Sequence, residues 1–184
     1  YIGKIRPRNT EQEIAFDLLQ DPRTRVKLLT GRQGSGKDYL MLSHAFELIG
    51  KGIYDKLIFV RNNIPVRHTN EIGFLPGGDN DKIMPYAMLL ADHLGGKDAL
   101  ESLISRGIIE LRHLGFMRGR DIKDAIIYCT EAENLTKDHV QMLLGRVGEG
   151  SALWINGDLK QVDKDIFKKD SGLSIMMERL HGDS

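Results

Sequence analysis

Residues 31–38 read Gly-Arg-Gln-Gly-Ser-Gly-Lys-Asp, a run rich in residues that leave the main chain bare, ending in a cation and an acid. Glycines at this spacing let successive backbone N–H groups turn inward into a nest for phosphate oxygens, and a helix starting there adds its positive dipole end. Lys37 brings a full charge to the same oxygens. Gly31, Arg32, Gln33, Gly34, Ser35, Gly36, Lys37 and Asp38 are therefore the candidate phosphate-binding set. A ligand-free strand-to-helix turn needs neither the lysine nor three glycines so placed. The last position is unusual: where a Ser or Thr hydroxyl would ligate Mg²⁺, the chain has Asp38, an acid that repels a polyphosphate unless a cation stands between them.

Two further segments carry polar chemistry at the end of an apolar run. Ala125-Ile-Ile-Tyr-Cys129 leads into Thr130-Glu131-Ala132-Glu133-Asn134, like a Walker B strand, and Glu131 is the candidate base that orients and deprotonates an attacking water. The Asp that usually supports Mg²⁺ just before that base is here Thr130. Asp38 and Thr130 thus keep one acid and one hydroxyl around a metal, in exchanged places, and both are candidate metal residues. Ala152-Leu-Trp-Ile155 runs into Asn156-Gly-Asp-Leu-Lys-Gln161, which sets Asp158 and Gln161 at one sheet edge, with Gln161 as a sensor of the γ-phosphate. Upstream, Asn9-x-x-Gln12 offers an amide of the kind that reads an adenine edge. No Asn-Lys-x-Asp guanine reader occurs, so ATP is favoured over GTP. The six histidines are scattered without ligand spacing.

These groups need elements to hold them. Strand-like runs at 26–30, 57–61, 108–112, 125–129 and 152–155 alternate with helical patterns at 37–49, 82–94, 98–105, 137–146 and 173–180, the signature of βαβ units and a parallel sheet. Thr10-Glu-Gln-Glu13 reads as a capping box opening a first helix to about residue 19. Gly50, Gly95 and Gly107 are placed to end helices. The turn-rich Gly73-Phe-Leu-Pro-Gly-Gly78 and the two helices after it form a helical insertion at about 62–107 within one domain of residues 1–184.

Composition narrows the class. The 184 residues include 26 Lys and Arg against 26 Asp and Glu, so no global basic field draws the surface onto nucleic acid. With 41% hydrophobic and 28% charged residues the chain is neither a disordered tail nor a fibrous repeat. A single cysteine, Cys129, excludes an internal disulfide framework and fits a reducing compartment. No apolar run reaches the roughly 18 residues of a membrane span, and the start of the chain is too charged for a signal peptide. The expected setting is the cytoplasm, away from membranes.

The order Asn-x-x-Gln, phosphate loop, Gly-Phe-Leu-Pro-Gly, Phe116-Met-Arg-Gly-Arg120, acidic strand end, Gly-Asp-x-x-Gln and Ser171-Gly-Leu resembles the PhoH-like (phosphate-starvation-inducible) ATPases over nearly the whole chain. The resemblance implies a three-layer α/β P-loop NTPase, RecA and superfamily 1 helicase-like, with a mostly parallel central sheet. It implies ATP and Mg²⁺ as ligands, catalysis by Glu131, Lys37 and Gln161, and Arg118 and Arg120 as contacts to RNA or to a phosphate in a neighbouring subunit. A homo-oligomer, a hexameric ring by family analogy, and single-stranded RNA are the partners it suggests. Two rivals stand beside this reading: a module that binds nucleotide without hydrolysing it, its metal residues having degenerated, and an assembly subunit with a vestigial loop. Intact Lys37 and Glu131 argue against the second.

Overall fold

A computed structural model of the chain describes residues 5–61, 79–117, 119, 121–158, 160 and 171–180. Five strands, β1 (Val26–Thr30), β2 (Lys56–Arg61), β3 (Ile109–His113), β4 (Ala125–Cys129) and β5 (Ala152–Gly157), form one sheet in the order β1-β5-β4-β2-β3, every pairing parallel. The helices are α1 (Thr10–Gln20), α2 (Lys37–Gly50), α3 (Asp79–Leu94), α4 (Lys97–Ser105), α5 (Lys137–Leu144) and α6 (Gly172–Leu180). Parallel strands need crossovers, and the crossover helices cover both faces. The expected three-layer α/β architecture is what the chain adopts.

Period-two alternation along each strand sorts the core into two halves. Leu57 and Phe59, Ile126 and Tyr128, and Ala152 and Trp154 pack with Leu40, Met41, Leu42 and Ala45 of α2 and with Ile83, Ala87, Leu90 and Leu100 of α3 and α4. Ile58 and Val60, Ile127 and Cys129, and Leu153 and Ile155 face the other way, onto Val140 and Leu143 of α5 and Leu173 and Met176 of α6. One step further along the first set lie Arg61, Thr130 and Asn156. The alternation that buries the core thus aims those three polar residues at the α2 side of the sheet, at its carboxyl end.

The helices of the proposed insertion contribute to that same core, and α3 does so with Pro85 inside it. Element ends differ from expectation by up to three residues, the largest shift being the start of α3 at Asp79 where 82 was expected. The α1 capping box is not formed as read: Asn9 is the N-cap, its Oδ1 accepting the Gln12 backbone N–H at 2.8 Å, and Thr10 is already helical. An Asn-x-x-Gln spacing fits this cap, since an N-cap side chain reaches the N–H three residues on. At the end of α2, Gly50 stays helical and Gly52, at φ 71°, takes the left-handed position. Among the described residues no helix is long and apolar enough to cross a membrane.

Asn9 is exposed and its capping bond is local, so Asn9→Ala should lower unfolding stability by about 1 kcal/mol, and Asn9→Gly by only a few tenths. Urea denaturation followed by circular dichroism measures both; equal losses would mean that the Asn9 side chain acts through something other than the cap.

Candidate functional site

The phosphate loop joins the end of β1 to the start of α2. Gly34 and Gly36 take φ 77° and 87°, left-handed values that only glycine adopts without strain. Gly36 is also the N-cap of α2, and a Cβ there would lie 2.8 Å from Gln12 Nε2. Three neighbours fix the loop's shape. Gln12 of α1 donates from Nε2 to Ser35 O at 2.9 Å while its Oε1 accepts the Arg8 N–H at 2.8 Å. From β5, Gly157 O accepts the Gly31 N–H at 3.2 Å, and Asp158 Oδ2 accepts the Gln33 N–H at 3.3 Å. Lys37 lies along the loop, donating to Gly31 O at 2.7 Å and Arg32 O at 2.8 Å.

Open space flanks the loop on both sides. A cavity of about 670 Å³ runs from Asn9 and Gln12 past Thr30 and Arg32 to Lys37 and Leu40. A second, of about 360 Å³, is lined by Gly34, Gly36, Lys37, Asp38, Arg61, Thr130, Glu131, Glu133, Asn156 and Asp158. Lys37 borders both. Their arrangement suits an elongated, charged ligand laid across the loop.

Asp38, in the first turn of α2, meets the end of the sheet. Its Oδ1 accepts from the Tyr128 hydroxyl, and from Asn156 Nδ2 at 2.8 Å, with Thr130 Oγ1 3.4 Å away. The Thr130 hydroxyl has a shorter acceptor, Asn156 Oδ1 at 3.0 Å, and Asn156 Nδ2 also reaches the Tyr128 oxygen at 2.6 Å. Register explains the cluster: Cys129 pairs with Ile155, so Thr130 and Asn156 come next on adjacent strands. Full burial, with the Asp38 charge beside it, pushes the Tyr128 hydroxyl well above its usual range, so Tyr128 serves Asp38 as a donor. Among the described residues Asp38 Oδ2 has no donor. A free carboxylate oxygen beside a hydroxyl oxygen is a hard-donor set suited to Mg²⁺ or a similar cation completed by phosphate and water oxygens.

Glu131, directly after Thr130, holds φ 56° and ψ 47°, a left-handed backbone that is uncommon outside glycine and gathers at functional positions. The turn carries its carboxylate into the cleft, where Oε2 accepts from Arg61 Nη2 at 2.5 Å. Arg61 is largely buried, its guanidinium lying 4.2 Å over the ring of Tyr86 from α3. Glu133, two residues on, is 6% exposed and accepts the Asp158 N–H at 3.0 Å. Burial raises its pKa, the nearby Glu131 and Asp158 charges adding to the effect against that hydrogen bond.

The residues expected from sequence at 12, 31–38, 130 and 131 therefore converge on one region, whereas Gln161, Arg118 and Arg120 lie outside the described residues. Of the Arg118–Arg120 segment only Gly119 is described, and its carbonyl accepts from Arg146 Nη1. Arg61, Tyr128 and Asn156 were not singled out by sequence. The available signal was weak: a polar residue near the carboxyl end of each of three largely apolar strand runs. Cys129, at the end of β4, is fully buried, and burial pushes its thiol up to about 12.

Comparison with known proteins agrees with this geometry. The family described as PhoH-like protein matches residues 4–184. Protein PhoH2 of Bacillus subtilis is 36% identical over 99% of this chain and 43% of its own length. The PhoH-like protein of the same organism is 39% identical over 83% of this chain and 48% of its own, and that of Mycobacterium tuberculosis strain H37Rv is 35% identical over 86% and 45%. The chain thus spans less than half the length of the curated relatives it matches.

Glu133 gives a pH prediction whose sign is fixed by burial. A carboxyl whose folded pKa is raised binds a proton in the folded state that the unfolded chain has released, so its contribution falls as pH rises from the ordinary carboxyl range through the raised value. Glu133→Gln keeps an acceptor for the Asp158 N–H and removes that titration. The stability of wild type minus that of Glu133→Gln should therefore decline as pH rises out of the ordinary carboxyl range, about pH 4, and through the raised value. Denaturation series at several pH values measure it, and a difference that grows with pH would refute the assignment.

Proposed function

The chain belongs to the PhoH-like protein family, whose members are P-loop, ATPase-like nucleotide-binding proteins, and from that premise we propose that this chain binds ATP with Mg²⁺ and hydrolyses it. The observation that carries the reading is the convergence of Lys37, Asp38, Thr130 and Glu131, from two segments far apart in the chain, on one cleft. In this reading the glycine loop and Lys37 hold the β- and γ-phosphates, and Gln12 contacts adenine through the second N–H of its amide. Asp38 would hold the metal through Oδ2 beside the Thr130 hydroxyl, with Tyr128 and Asn156 fixing the other Asp38 oxygen. When bound, Mg²⁺ would neutralise charge on the phosphate oxygens.

Glu131 orients a water and takes its proton as the water oxygen bonds to the γ-phosphorus. The bond from that phosphorus to the β-bridging oxygen breaks, its electron pair leaving with ADP, and inorganic phosphate is the second product. Lys37 stabilises the charge that gathers on the terminal oxygens. Gln161 senses the γ-phosphate from beyond β5. Arg118 and Arg120 would meet single-stranded RNA or a neighbouring subunit's phosphate, in a ring of copies. The Arg146 bond to Gly119 O supports this in that it anchors the backbone between the two arginines. A second reading, nucleotide binding without turnover, draws on the engagement of Asp38 Oδ1 by Tyr128 and Asn156, which leaves a single carboxylate oxygen for a metal.

Phosphate release under Mg²⁺ titration separates these readings. Wild type should turn over ATP, and Glu131→Gln should lose about 10²-fold or more of that rate while still binding nucleotide. Asp38→Thr and Thr130→Asp should each lose Mg²⁺-dependent turnover, and the double variant should recover it. Intact binding with no release by wild type would select the non-hydrolysing reading; a double variant no better than the worse single would remove Asp38 and Thr130 from a shared metal site.

A further inference from the structure

The cations lining the smaller cleft, among the described residues, are Lys37 and Arg61. Lys37 belongs to the phosphate loop; Arg61 comes from the end of β2, on the sheet face shared with Thr130 and Asn156. The parallel register that pairs Val60 with Cys129 brings Arg61 beside the Thr130–Glu131 turn. Its guanidinium carbon lies 4.2 Å over the Tyr86 ring, and one of its nitrogens, Nη2, donates to Glu131 Oε2 at 2.5 Å. Among the described residues Glu131 is the one hydrogen-bond acceptor of this side chain, and Nε and Nη1 of the fork have none there. A cation held over a ring face and bonded through one nitrogen can turn toward a second acceptor while keeping its place over the ring.

A carboxylate oxygen that receives a guanidinium N–H has one lone pair occupied and is held toward the cation, whereas a base must be aimed at the water whose proton it takes. A terminal phosphate offers the same guanidinium three oxygens and more charge, in the geometry that an arginine fork meets bidentately. Two anions therefore compete for one cation inside a partly enclosed site. Resting on the reading of the cleft as an ATP site, we propose that Arg61 is shared between Glu131 and the terminal phosphate of a nucleoside triphosphate. It pairs with the carboxylate when no terminal phosphate is in reach and moves to that phosphate when one enters, which leaves Glu131 free to engage water. Arg61 is thus a ligand for the third phosphate and a positioning residue for Glu131, and it makes the base respond to triphosphate over diphosphate.

Equilibrium titrations of the whole chain with ATPγS and with ADP, both in Mg²⁺, test the exchange without reference to turnover. Arg61→Ala should weaken ATPγS by about tenfold and change ADP by less than about twofold, since a hydrogen-bonded charge is lost only from the third phosphate. Glu131→Gln should tighten ATPγS several-fold by removing the competitor, and that gain should vanish when Arg61→Ala is added. Arg61→Lys, which keeps a cation beside Glu131 but not the fork, should lie between wild type and Arg61→Ala for ATPγS and match wild type for ADP. A Glu131→Gln gain that persists in the Arg61→Ala background would reflect removal of negative charge alone and overturn the sharing. Equal weakening of both nucleotides, in Arg61→Ala or in Arg61→Lys, would make Arg61 a structural ion-pair partner. Wild type that binds neither nucleotide would overturn the proposed function itself, and the inference with it.

Discussion

Parallel strand pairing is the constraint from which the site follows. When every strand runs the same way, every strand ends at the same edge, and residues far apart in the chain arrive there together. Thr30, Arg61, Thr130 and Gly157 are such arrivals, and the phosphate loop begins where β1 ends. The backbone ladder sets their register to within one residue. A slip of one position in β4 would turn Tyr128 and Thr130 away from α2 and present Ile127 and Cys129 in their place. Core packing enforces the correct register, because the two faces of each strand pack against different helices.

Within that frame the loop depends on its neighbours. A backbone that alternates through left-handed glycines has little preference of its own, and here α1, β5 and Lys37 each fix part of it. Gln12 takes a carbonyl, Gly157 and Asp158 take two N–H groups, and Lys37 covers two more carbonyls. Glu133 ties the Asp158 N–H to the turn that carries Glu131. Loop, base and the end of β5 are therefore one hydrogen-bonded unit, so a shift at one of them is felt at the others. Such coupling is what a site needs if the group that orients water is to respond to the ligand on the loop.

Much of this was legible in the sequence, for a physical reason: strand runs, helix periods and a glycine loop are local patterns. The five strands and the position of the loop follow from such patterns. Juxtaposition across strands does not. Tyr128, Asn156 and Asp38 are 28 or more residues apart, and nothing in their spacing announces that they share hydrogen bonds. Arg61 read as the unremarked end of a strand until the sheet order set β2 beside β4. The first helix shows the opposite error, in which a plausible local pattern, the Thr10 capping box, gave way to an equally local competitor one residue earlier. The adjacency of Asp38 and Thr130, inferred from their exchanged chemistry, is matched by the 3.4 Å between their oxygens.

The account stands on the loop of residues 31–38 as the place where a nucleotide's phosphates are held. Calorimetric titration of wild type and Lys37→Ala with ATP, each with and without Mg²⁺, tests this most directly. The account predicts one saturable site in wild type that weakens sharply when Mg²⁺ is withdrawn, and no measurable site in Lys37→Ala. Equal affinity in the two proteins, or binding indifferent to Mg²⁺, would contradict it.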